Sequence, residues 1–205
     1  MDMEIFETRI VPSHSMKRRG YKYKTPDELI DNRDDPEFTL PMFELNLDCS
    51  SKRNAMVCYI NKFARKYFTG HSTGTTCFAI EILDRVMLTV AKLSSNYDLQ
   101  IIGGACLYLA GIDFNFKPEK FVYKLLESTE KSEDMIINCV SIILDRLEND
   151  VSYEYSVMWF INWLGGFKHI EYKNLLKQRI LDVYISGEYR TKDPYTMAYE
   201  IMLSM

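Results

Sequence analysis

Apolar residues from Ser50 onward recur at intervals of three and four, the spacing of helices that bury one face. Ser50 or Ser51 is a suitable N-cap for the first such segment, and Gly70 ends it. A second segment follows the turn at Gly70 and runs to about residue 91. A third begins after Asp98 and is apolar on nearly every side, which predicts the central helix of a bundle.

Five more segments show the same helical spacing, and no segment alternates long enough to predict a strand. These segments cover residues 119–126, 132–147, 153–164, 170–185 and 194–205. The chain is therefore predicted to be all-α. The first five helices form one unit over residues 50–150, and the last three form a shorter unit over residues 151–205.

The N-terminal residues 1–49 differ from the rest, because their apolar residues are sparse and follow no sustained period. This segment holds four of the six prolines, a basic cluster at 17–19 and an acidic stretch at 31–37. It is predicted to be a partly ordered arm with one short helix at 27–32.

Two adjacent glycines, Gly103 and Gly104, lie inside the third predicted helix. Glycine in a helix interior costs about 1 kcal/mol relative to alanine. Close approach of a neighbouring helix would offset that cost, so the pair marks a predicted helix crossing.

Composition and charge narrow the class of protein. The 205 residues carry a net charge of −4, so nucleic acid is not the expected partner. The five cysteines form no Cys-x-x-Cys pair, which fits buried thiols in a reducing compartment, the nucleus or the cytoplasm. The longest run without a charge, 99–112, is too short to cross a membrane.

Signals for catalysis and metal binding are weak. The three histidines, His14, His71 and His169, lie in separate segments without metal-ligand spacing. The acidic residues Asp84 and Asp145 lie beside arginines within helices, which predicts solvated or locally paired charges. The chain is therefore predicted to have no catalytic residues, no metal and no cofactor.

Four short segments nevertheless carry helical motifs that follow one another in a defined order. They are 53–60 (RNAMVCYI), 79–87 (AIEILDRVM), 99–110 (LQIIGGACLYLA) and 118–123 (PEKFVY). The third, with its Leu-Gln start and inner glycine, is the most distinctive. Together they resemble the successive helices of the cyclin box, and the similarity extends weakly to residue 164. The resemblance implies an all-α fold with a five-helix cyclin box followed by a truncated second helical repeat.

The cyclin resemblance also implies a function, that of a regulatory subunit of a cyclin-dependent Ser/Thr protein kinase. In that family the third and fifth helices press on a movable helix of the kinase, gripped by a Lys and a Glu. By spacing, those two positions are Ile112 and Asn138 here, so a kinase contact would be more apolar. The residues expected at that contact are Leu109, Ile112, Asn138, Ile142 and Leu147.

A second surface implied by the resemblance docks substrates or inhibitors that carry a docking motif. The positions that match it are Arg53, Met56, Tyr59, Leu99 and Gln100. Ordinary core packing explains Met56, Tyr59 and Leu99 equally well.

Two other hypotheses remain open. Loss of the Lys and Glu contacts favours a cyclin-fold adaptor or transcription-factor-like protein that binds a protein or DNA partner without a kinase. Contact with DNA would require a basic face, for which Lys62, Arg65 and Lys66 are the candidates. The third hypothesis is an all-α interaction module unrelated to cyclins.

Overall fold

The computed structural model describes residues 50–68, 72–93, 99–113, 133–148, 151, 156–165 and 172–205. Within these ranges every regular element is helical and no strand occurs, so the predicted all-α class is confirmed there. The predicted arm 1–49, the predicted helix 119–126 and the three histidines lie outside these ranges.

Seven α-helices are described, together with one short 3₁₀ helix, Glu188–Arg190. The α-helices are α1 (Ser50–Tyr67), α2 (Ser72–Leu93), α3 (Leu99–Asp113), α4 (Glu133–Arg146), α5 (Val157–Trp163), α6 (Lys173–Ser186) and α7 (Pro194–Leu203). The chain divides into two compact units between Val151 and Ser152, so that α1–α4 belong to the first and α5–α7 to the second.

Helix α3 is the centre of the first unit, as its sequence predicts. It packs against α1, α2 and α4. Every residue of α3 from Ile101 to Gly111 is buried. A helix enclosed on three sides by other helices must be apolar all round, which is why α3 lacks the single apolar stripe of a surface helix.

Gly103 lies where α3 crosses α1, and the predicted close approach is confirmed. A Cβ atom built on Gly103 would lie 3.2 Å from Cδ1 of Tyr59 and 3.7 Å from the carbonyl oxygen of Met56. The absence of a side chain at Gly103 therefore lets the backbones of the two helices approach each other. This contact explains why glycine is acceptable inside the helix despite its propensity cost.

Capping residues define several helix ends in the second unit. The Ser156 hydroxyl accepts a hydrogen bond from the Trp159 amide at 3.1 Å, so α5 begins at Val157 and not at the predicted residue 153. Asp193 caps α7 in the same way, with Pro194 in its first turn. Gly187 ends α6 in the left-handed conformation, at φ 81°.

Aromatic side chains hold α5, α6 and α7 in the second unit. Tyr184 of α6 stacks on Tyr189, with ring centroids 4.3 Å apart. Phe160 of α5 meets Tyr195 of α7 edge to face at 5.5 Å. Helix α7 packs against both α5 and α6, so these contacts form the core of the unit.

Candidate functional site

A buried ion pair joins α1 to α2 and underlies the predicted docking patch. Arg53 donates from Nε to Oδ1 of Asp84 at 2.7 Å and from Nη2 to Oδ2 at 2.9 Å. Both residues are buried, with exposed fractions of 3% and 1%. The two parallel hydrogen bonds are the bidentate geometry that the planar guanidinium favours.

The prediction that Asp84 is solvated or paired with a neighbour in its own helix is wrong. Asp84 faces α1 and pairs with a residue 31 positions earlier in the chain. Burial of the Arg53 guanidinium beneath the α1–α2 contact requires an anion nearby, because an isolated charge is costly to remove from water. Asp145, by contrast, is exposed.

The five residues of the predicted docking patch lie at different depths. Arg53 and Met56 are buried, while Tyr59 and Leu99 are half-buried and Gln100 is exposed. The Tyr59 ring contacts the backbone of α3 at Gly103, one helical turn beyond Leu99. The accessible part of the patch is therefore Tyr59, Leu99 and Gln100, with Met56 and Arg53 beneath it as structural support.

The residues of the predicted kinase contact are also divided between interior and surface. Leu109 and Leu147 are buried, at 0% and 7% exposure, whereas Ile142 is half-buried and Asn138 is exposed. Asn138 and Ile142 are four residues apart on α4 and share one of its faces. Ile112 lies in the last turn of α3, and its side chain is outside the described residues.

Among the described residues of the first unit, Cys77, Cys106 and Cys139 are buried, while Cys58 is exposed on α1. Burial raises the pKa of Cys77 and of Cys106 well above the usual thiol value, and the charge of Glu81 raises that of Cys77 further. Burial raises the pKa of Cys139 to about 12. These thiols are therefore neutral and unreactive at ordinary pH.

The high pKa of Cys139 predicts a loss of stability in alkaline solution. Below pH 9.0, the usual thiol value, Cys139 is neutral in both states. Above it the unfolded thiol ionises while the folded one stays neutral, so the free energy of unfolding falls. From Cys139 alone we expect a loss of about 2 kcal/mol between about pH 8 and about pH 10.5.

Chemical denaturation across this pH range measures the effect, with Cys139→Ala as the comparison. Lysines and tyrosines that titrate in the same range contribute equally to both proteins. The stability of Cys139→Ala should therefore fall less steeply with pH, and parallel curves would contradict the buried, neutral thiol.

Among the described residues, no group of three or more His, Cys, Asp or Glu side chains is placed to hold a metal ion. No described helix combines the length and apolarity that a bilayer span requires.

Comparison of the chain with protein-family models, with curated proteins and with solved structures finds no match.

Motifs in the sequence do not predict the Arg53–Asp84 pair, because its partners are too far apart in the chain for local spacing to join them. The three cations that the sequence offers as a basic face, Lys62, Arg65 and Lys66, are exposed on α1. The absence of any acidic residue from α1 is the signal in the sequence that points to this face.

Proposed function

We propose that this chain is a cyclin-like regulatory subunit that binds a cyclin-dependent Ser/Thr protein kinase and regulates it inside the cell, in the nucleus or cytoplasm. The observation that carries the proposal is the packing of three cyclin-like motifs on one another. Arg53 of the first motif pairs with Asp84 of the second, and Tyr59 of the first packs on Gly103 of the third. Residues that mark the resemblance are thus among those that join α1, α2 and α3.

The proposed regulation requires no chemistry by this chain. Helices α3 and α4 correspond to the third and fifth helices of the cyclin box, which press on a movable helix of the kinase. By making more contacts with the active than with the inactive arrangement, the subunit shifts the kinase population towards the active one. Asn138 and Ile142 supply the accessible part of this contact on α4, and Ile112 is placed there by its position in the chain.

An Ile142→Asp variant tests the kinase contact. Ile142 is half-buried, so aspartate at this position would place a carboxylate in an apolar interface. We therefore expect the affinity for the kinase to fall by about tenfold or more. Co-purification with a cyclin-dependent kinase, followed by a phosphorylation assay of the complex, measures the loss. The Ile112→Asp variant is expected to have the same effect while leaving the helical fold intact.

Ile137→Asp is the matched control, because Ile137 is also half-buried on α4 but lies five residues earlier, on the other edge of its exposed strip. It should bind the kinase normally, and circular dichroism verifies that both variants are folded. If the unmodified chain retains no cyclin-dependent kinase, the proposed function is wrong. Equal losses in the two α4 variants would instead place the contact elsewhere.

The second candidate function is that of a cyclin-fold adaptor that binds DNA or protein without a kinase. It is favoured by the exposed cations Lys62, Arg65 and Lys66 on α1. Binding to duplex DNA that weakens steeply with added salt would support this function.

A further inference from the structure

One face of α1 is strongly basic although the chain as a whole is acidic. Lys62, Arg65 and Lys66 are all exposed, and their spacing of three and four residues places them on one face. Helix α1 contains no acidic residue, whereas the whole chain has a net charge of −4. Arg65 and Lys66 lie in the last turn, where cations stabilise a helix terminus, but Lys62 precedes that turn. Stabilisation of the helix terminus therefore accounts for Arg65 and Lys66 but not for Lys62.

Beside these cations lies an accessible apolar edge. Tyr59 is half-buried, three residues before Lys62 and seven before Lys66, so its ring lies on the neighbouring part of the α1 surface. Helix α3 approaches Tyr59 at Gly103, where a built Cβ atom would lie 3.2 Å from the ring, and half-buried Leu99 and exposed Gln100 precede Gly103 by about one turn. We call the surface formed by Tyr59, Lys62, Arg65, Lys66, Leu99 and Gln100 the α1 edge. It combines an apolar shelf with a row of positive charge.

We propose that the α1 edge binds an acidic peptide segment of a partner protein, with one or two large apolar residues among its carboxylates. The apolar residues pack on Tyr59 and Leu99, and Gln100 offers hydrogen bonds to the peptide backbone. The carboxylates pair with Lys62, Arg65 and Lys66. This inference rests on the docking patch of the proposed function and adds the class of segment that docks there.

Charge complementarity determines the sign of the charge on the bound segment, and the apolar surface of Tyr59 and Leu99 determines the class of macromolecule to which the segment belongs. A basic segment would face three exposed cations of like charge. A nucleic-acid backbone would satisfy the cations but leave the shelf of Tyr59 and Leu99 without an apolar contact. A protein segment with both kinds of residue uses the whole surface, which is why the observations favour it.

Fluorescence anisotropy with the full-length chain tests the proposal. The probe is a fluorescein-labelled twelve-residue peptide with five Asp or Glu residues and a central Leu-Phe pair. We expect it to bind the chain, with an affinity that falls as salt is raised. The triple variant Lys62→Glu/Arg65→Glu/Lys66→Glu should bind the peptide with an affinity at least about tenfold lower, since several surface ion pairs become repulsive.

A matched control reverses three cations of α6, Lys173, Lys177 and Arg179, which changes the net charge by the same amount. This control should bind the peptide like the unmodified chain. Three further probes test which features of the ligand are needed for binding. The first is the same peptide with Ser-Ser in place of Leu-Phe, the second has Lys in place of the acidic residues, and the third is a duplex DNA of twenty base pairs. The affinity of the chain for each of these three probes should be at least about tenfold lower than its affinity for the acidic apolar peptide.

Alkylation of Cys58 provides a test that requires no charge reversal. This exposed thiol lies one turn before Lys62 on α1, so bound peptide should slow its modification by iodoacetamide, as located by peptide mass mapping. Absence of binding, an equal loss in the α6 control, or equal affinity for the Ser-Ser peptide or for DNA would overturn the proposal. The assay contains no kinase, so loss of peptide binding and loss of kinase binding are observed separately.

Discussion

An Arg53→Ala variant is expected to lose about 3–5 kcal/mol of folding stability, because it leaves the Asp84 carboxylate buried without its cation. Both side chains are almost completely inaccessible to water, and the two hydrogen bonds between them measure 2.7 and 2.9 Å. The cost therefore comes mainly from keeping the Asp84 carboxylate out of water without this guanidinium, and it exceeds the net value of the pair.

Urea denaturation measures this loss, and Lys192→Ala is the matched control. Lys192 also pairs with a carboxylate, that of Glu200, but both side chains are nearly half exposed. We expect its removal to cost at most about 1 kcal/mol, because water replaces the partner. If Arg53→Ala were no more costly than Lys192→Ala, the interior placement of the Arg53–Asp84 pair would be wrong.

Replacing both partners separates the burial of charge from the packing of α1 on α2. The double variant Arg53→Met/Asp84→Leu removes both charges and fills the space with apolar atoms. It should be clearly more stable than Arg53→Ala, since apolar replacements of a buried pair are often neutral or stabilising. An equally unstable double variant would show that specific hydrogen-bond geometry, and not charge balance, holds the two helices together.

A Gly103→Leu variant is expected to lose about 1–3 kcal/mol or more, through overpacking where α1 and α3 cross. Even a Cβ atom would lie 3.2 Å from the Tyr59 ring and 3.7 Å from a backbone oxygen of α1. A leucine side chain must therefore separate the two helices or displace Tyr59. Because Tyr59 belongs to the α1 edge, we expect the acidic apolar peptide to bind this variant more weakly as well.

Thermal denaturation and the anisotropy assay measure these two effects on the same protein. Gly103→Ala is the control, because it adds the Cβ alone and improves helix propensity by about 1 kcal/mol, which opposes the tight contact. It should therefore change stability much less than leucine does. A fully stable Gly103→Leu variant with normal peptide binding would contradict the close approach of α1 and α3.

The helices themselves were predictable because their signals are local. Apolar spacing and the glycine ends lie within a few residues of the elements they define, whereas the Ser156 cap that begins α5 at Val157 was not predicted. The central position of α3 also follows from its sequence, since only an enclosed helix has apolar residues on nearly every side. Gly103 is a marker of the same kind, because the propensity cost of glycine inside a helix can be offset by the close approach of a neighbouring helix.

The candidate site was less predictable because burial depends on which helices meet. Periodicity places Leu109 and Leu147 on apolar faces, but only the packed helices show that both are interior and that Asn138 and Ile142 are accessible. In the docking patch, likewise, only the packed helices show that Met56 is buried and Gln100 is exposed. Spacing along one helix cannot distinguish a residue that faces a neighbouring helix from one at the rim of that contact.

Short-range signals along this chain were thus sufficient to predict the all-α class of the described residues, their central apolar helix and the glycine at its crossing. The partner of Arg53, the division of the site into support and surface, and the exposure of the basic residues near Tyr59 came from the three-dimensional arrangement alone. The physical reason is that secondary structure depends on contacts within a few residues. Ion pairing and exposure, by contrast, depend on groups such as Arg53 and Asp84, which packing brings together from distant parts of the chain.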